Sequence, residues 1–160
     1  MKRLWKDSLN LRDNLRRRMP KIVAEYFADG RKSLAPATPW DEMHAFRLRS
    51  KRFRYTLETF RDVYGPAMDA RIEALKKIQT YLGDINDLIV TSAILAKLPG
   101  TEEIRAELER KADEKTAKVQ EHWATVFDAP GEERRWTMYL VNYACRPPII
   151  PRARRIPARE

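Results

Sequence analysis

The chain has 160 residues, a formal charge of +9 and a pI near 9.8. That is length enough for one domain with a hydrophobic core, with a cation surplus suited to nucleic acid, polyphosphate or another anionic partner. A single cysteine, Cys145, excludes an internal disulfide and fits a reducing compartment. The charged start Met1-Lys-Arg-Leu-Trp-Lys-Asp7 and a longest apolar run of Leu88-Ile-Val90 give neither a secretion signal nor a membrane span, so a cytoplasmic protein is expected.

Few glycines and no alternating run predict an all-α chain. The first helix is expected from about Leu4 to Phe27, with Leu11, Leu15, Met19, Ile22, Val23 and Phe27 in helical steps. Pro20 should kink or split it, and Ala28-Asp-Gly30 should end it. The second opens at Thr38-Pro-Trp-Asp41, where threonine is a good N-cap and proline suits the first helical position. It should run to about Val63 and stop at Gly65-Pro66. The third runs from Pro66 to about Leu98, with Ile72, Leu75, Ile78, Leu82, Ile85 and Ile89 as its apolar stripe.

Pro99-Gly100 closes that helix, and a fourth runs from Thr101 to about Phe127. Residues 101–121 hold seven acids against five bases, the pattern of an outer face with intrahelical ion pairs. Glu132–Cys145 is a further short helix. Short connections between long helices favour antiparallel neighbours. The expected domain is therefore a bundle of about four long helices plus a short one over residues 1–145. Residues 146–160, with four prolines and a net charge of +4, cannot continue as helix and form an extended or disordered basic tail.

Residues 44–54, His44-Ala-Phe-Arg-Leu-Arg-Ser-Lys-Arg-Phe-Arg54, carry five permanent cations and no acid. On a helix His44, Arg47, Lys51 and Arg54, with Tyr55, share an arc of about 100° over a length of roughly 15 Å. Phe46, Phe53, Leu57, Phe60 and Tyr64 occupy a separate face, and Arg49 and Arg52 lie outside the main stripe. The bland reading is a solvated cationic surface. Against it, glutamates are not interleaved, and like charges spaced i,i+4 weaken a helix slightly. An anion with repeating charge would offset that, through charge-assisted hydrogen bonds.

On the third helix Lys76 and Lys77 can add cations. Gly83 in mid-helix costs about 1 kcal/mol relative to alanine, which close helix approach would explain. Asp84, Asn86 and Asp87 can either ligate a divalent cation or hold arginines of the second helix, and the second reading is favoured. Two histidines and one cysteine, far apart in sequence, do not make a zinc site. His44 has no nucleophile or Gly-rich motif beside it. No catalytic residue, metal or cofactor is expected, and the chain is read as a binder.

Met43-His-Ala-Phe-Arg-Leu-Arg-Ser-Lys-Arg-Phe-Arg-Tyr-Thr-Leu-Glu58, followed by Gln79, Leu82, Gly83, Asn86, Asp87 and Leu88, resembles the CHAD domain, the conserved-histidine α-helical domain. The resemblance implies a helical bundle whose basic face binds inorganic polyphosphate, in proteins found at polyphosphate granules or beside triphosphate-processing domains. By motif position the binding set is His44, Arg47, Lys51, Arg52 and Arg54, extended to Lys76 and Lys77, with Tyr55 on the same stripe. Members typically carry two such bundles around a central pore. This chain carries one motif and looks like half of that arrangement, which a homodimer could rebuild.

Two other readings compete. A nucleic-acid binder would use the same stripe and the tail, but single-strand binders place aromatics among their cations, and here Phe46 and Phe53 face away. An accessory module for a phosphate-processing enzyme is the third. Polyphosphate binding ranks first.

Overall fold

A computed structural model describes residues 6–144. The expected start at Leu4 and the basic tail lie outside the described residues. The elements are α1 (Leu11–Ser33), α2 (Trp40–Thr59), α3 (Arg61–Tyr64), α4 (Ala67–Leu95), α5 (Glu102–His122), a π-helical turn (Trp123–Phe127) and α6 (Glu132–Ala144). Among the described residues the fold is all-helical, as the composition predicts.

Helix α1 starts where Asn10 caps it, its side-chain oxygen accepting from the Asp13 N–H at 2.9 Å. Buried Asn14 fastens the preceding turn, accepting from the Lys6 N–H at 2.9 Å and donating to Lys6 and Leu9 carbonyls at 3.0 Å each. Pro20 does not split the helix, which runs on to Ser33. Nor does Gly30 end it. A Cβ there would lie 2.1 Å from Trp123 Cη2, so the glycine is required by an indole ring seated on the backbone. Spacing alone cannot distinguish such a contact from a helix stop.

Helix α2 also begins differently. Pro39 is the N-cap and makes no side-chain cap bond. The Thr38 hydroxyl turns back to donate to the Ala35 carbonyl at 2.7 Å, closing the turn that precedes the helix. The helix stops at Thr59, and the short α3 follows before Gly65, whose φ of 74° is the left-handed conformation glycine tolerates best. At the far end, α5 passes into the π-helical turn, with the Asp128 N–H donating to the Trp123 carbonyl at 2.9 Å. This leaves Trp123 and Phe127 stacked, ring centroids 4.9 Å apart.

The core lies between α1, α2, α4 and α6, with the π-helical turn at its centre. Tyr26 stacks on Phe53 and Phe46, at 4.4 and 5.3 Å between centroids, while Phe27 meets Trp123, Phe127 and Trp136. Ile72, Leu75, Ile78, Leu82 and Ile85 form the buried stripe of α4. Each such side chain contributes about 1.5–3 kcal/mol on burial. The burial of Tyr26 raises its phenol pKa well above 10, so the ring stays neutral and its hydroxyl pairs with Ser50 at 3.2 Å. Helix α5 buries only Ala112 and Val119. Those two side chains join the core, Lys115 and Glu109 reach Asp84 and Ser92 of α4, and Arg110 pairs along the helix with Glu107 and Glu114, the intrahelical pairing its charge pattern predicts.

Candidate functional site

Helices α2 and α4 pack antiparallel, and three cross-contacts set their register. Arg54 Nε donates to Gln79 Oε1 at 2.9 Å. The Arg47 guanidinium lies over Gly83, its Nη2 3.9 Å from where a Cβ would stand. His44 Nδ1 and Asn86 Oδ1 are 3.1 Å apart. Residues 79, 83 and 86 fall on one edge of α4 by helical periodicity, and residues 44, 47 and 54 share one arc of α2. Gln79 also donates to the Ser50 carbonyl at 3.0 Å, so its amide is fixed from two sides. The motif residues on the two helices therefore meet along the seam between them.

The predicted site residues fall into three groups. His44, Arg47 and Arg54 lie on the α2–α4 seam, part-buried. Lys51 is part-buried and Arg52 exposed, and among the described residues neither they nor Arg47 makes an ion pair. The Arg47 Nε is buried with no hydrogen-bond partner among the described residues. Arg54 is tied more closely, its Nη1 2.5 Å from Glu58 Oε1 and its Cζ 4.5 Å from the centroid of the Tyr55 ring. Tyr55 itself is 52% exposed.

The two lysines of α4 sit differently. Lys76 is exposed and pairs with Glu73 at 2.7 Å. Lys77 lies on the side of α4 that faces the end of α5. There burial, with the charge of Lys77 adding to it, lowers the pKa of His122. The structure thus gathers His44, Arg47 and Arg54 on one seam and leaves Lys77 off it.

The expectation for the α4 carboxylates is corrected. Asp84 holds no arginine of α2; it pairs with Lys115 of α5 at 2.5 Å. Asp87 accepts from Asn86 Nδ2 at 3.3 Å. One residue along a helix is a turn of about 100°, so Asp84 points away from the edge that Gly83 occupies. The close helix approach expected at Gly83 is not found: a Cβ there would meet only the Arg47 guanidinium, at an ordinary 3.9 Å. No group of three or more potential metal ligands occurs among the described residues.

Sequence reasoning assigned no role to Gln79, although it belongs to the motif, and expected Asn86 to hold an arginine of α2 where it instead meets His44. It also passed over Trp40, one turn before His44, whose ring meets the imidazole edge-on at 5.8 Å. The i,i+4 spacing of Trp40 and His44 was the signal that could have found it.

No helix among the described residues is long and apolar enough to cross a membrane. No curated protein and no solved structure matches the chain. The CHAD domain family model matches residues 2–96, a span that ends with α4 and takes in the whole α2–α4 seam. That is more than half of the sequence, and the chain belongs to the CHAD domain family.

Proposed function

We propose that this chain is a non-catalytic binder of inorganic polyphosphate, using the cations that α2 carries along its seam with α4. The observation that carries the reading is the pairing state of Arg47, Lys51 and Arg52, which have no carboxylate partner among the described residues. On the same helix Arg49 pairs with Asp29 and Arg54 with Glu58, so the open positions are Arg47, Lys51 and Arg52. Arg47 and Lys51 follow one another along the stripe with Arg52 beside it, an arrangement that suits a ligand whose charges repeat along a chain. The scaffold would be ordered before binding, so little conformational entropy opposes association. His44 and Arg54 extend the line at its two ends, with Tyr55 and Lys76 beyond Arg54.

Membership of the CHAD family supports the same reading, and a cytoplasmic protein that gathers at polyphosphate granules is consistent with it. Since one motif is present, two copies pairing about a twofold axis would rebuild a two-sided site, with the bound polyanion offsetting repulsion between the stripes. Light scattering should then show polyphosphate-dependent dimers; a monomer throughout would refute the pairing alone. The test of the function is fluorescence anisotropy with labelled polyphosphate, competed by duplex DNA, single-stranded RNA and orthophosphate. Binding should weaken steeply with salt, in the manner of counterion release. Preference for DNA at equal phosphate concentration would overturn the proposal.

A further inference from the structure

We infer that Gln79 and Asn86 are positioning residues, holding Arg54 and His44 on the α2–α4 seam by neutral amides that leave the charge of α2 open to an anion. The inference rests on the polyphosphate reading above and deepens it. Its basis is a difference between the two edges of α4. On the edge that meets α2, the contacts are an amide to Arg54, the bare backbone of Gly83 under Arg47, and an amide to His44. On the edge that meets α5, Asp84 takes Lys115 in an ion pair at 2.5 Å. One helix thus fastens one neighbour with a carboxylate and the other with amides.

The chemistry explains why the choice matters. A side-chain amide oxygen accepts a hydrogen bond from a guanidinium and fixes its direction, but adds no negative charge. A carboxylate of the same shape would accept a stronger, charge-assisted bond and would compete with phosphate for the same cation. Arg54 already meets one carboxylate, Glu58; a second in place of Gln79 would surround it. The Gln79 amide is additionally locked by the Ser50 carbonyl, which fixes its oxygen towards Arg54 by giving its NH2 group an acceptor.

Near-isosteric substitutions separate positioning from packing. Gln79→Glu and Asn86→Asp keep the side-chain shape and should keep the helical signal, with a modest fall in melting temperature because each gives up the bond its NH2 donates, to the Ser50 carbonyl and to Asp87 Oδ1. Each should weaken the binding of labelled polyphosphate by about tenfold and make the slope of log affinity against log salt shallower by about one. Wild-type binding with unchanged affinity and slope in both variants would overturn this inference while leaving the polyphosphate reading intact. Loss of folding in either variant would overturn it too, because the bond donated by the NH2 group, and not the neutrality of the amide beside the cations, would then be what the position requires. Absence of binding by the wild-type chain would overturn the polyphosphate reading and this inference together.

Discussion

Replacing Arg47 by alanine separates a binding cation from a structural one. The guanidinium lies over Gly83 at ordinary van der Waals distance, and its Nε is buried without a hydrogen-bond partner among the described residues. No ion pair joins it to a described residue. Truncation therefore leaves no acceptor orphaned and removes a donor that is itself unsatisfied. What the fold gives up is the packing of the aliphatic stem, so stability should change by less than about 1 kcal/mol. Binding should respond far more. A hydrogen bond to a charged group is worth about 1.5–3 kcal/mol, or about a 10- to 150-fold loss in affinity. The salt slope should fall by about 0.7–0.9 when one fewer phosphate is neutralised. Thermal melts and anisotropy titrations across a salt series measure both. A large drop in melting temperature with unchanged affinity would refute the assignment, since it would make Arg47 a structural residue.

Gly30→Ala should destabilise the fold by about 1–3 kcal/mol or more, because the added methyl would stand 2.1 Å from the Trp123 ring; a melting temperature equal to wild type would show that the indole can shift. Gly83→Ala should do the opposite, gaining about 1 kcal/mol of helix propensity, since its Cβ meets only the Arg47 guanidinium at 3.9 Å; denaturant melts decide the sign. For His122 the folded pKa is lowered by burial and by Lys77. The unfolded chain therefore takes up the proton first, and this group's contribution to stability rises with pH up to the ordinary histidine value near 6.5. His122→Gln should lose less melting temperature than wild type between pH 7.5 and pH 5, and an equal loss would refute the role.

The architecture was readable because the apolar residues of α1, α2 and α4 recur at helical spacing over long stretches, and burial follows that period closely. The helix ends were less readable. Gly30 sits in sequence like a stop signal, yet the ring that requires it comes from Trp123, 93 positions later. Thr38 has the chemistry of an N-cap, but the Ala35 carbonyl is within its reach and takes the hydroxyl. At the site, periodicity correctly grouped His44, Arg47 and Arg54, because one helix carries them all. It could not say which neighbour stands beside Asp84, since both edges of α4 are packed and a single sequence does not reveal which of α2 and α5 lies where.

That two-sidedness of α4 also accounts for the coexistence of a dense cationic stripe with a stable bundle. Cations crowded on one helix repel one another, at a cost of a few tenths of a kcal/mol per i,i+4 pair. Carboxylates on the facing helix would be the simplest remedy, and α4 has them, but Asp84 is turned to α5. What α4 offers α2 instead is amide and backbone, with the hydrophobic stripe of Ile78, Leu82 and Ile85 beside them supplying the cohesion. Apolar burial of about 1.5–3 kcal/mol per side chain exceeds the repulsion several times over. The fold can therefore hold Arg47 and Lys51 in register on α2 with no carboxylate partner among the described residues, while Arg49 and Arg54 are paired.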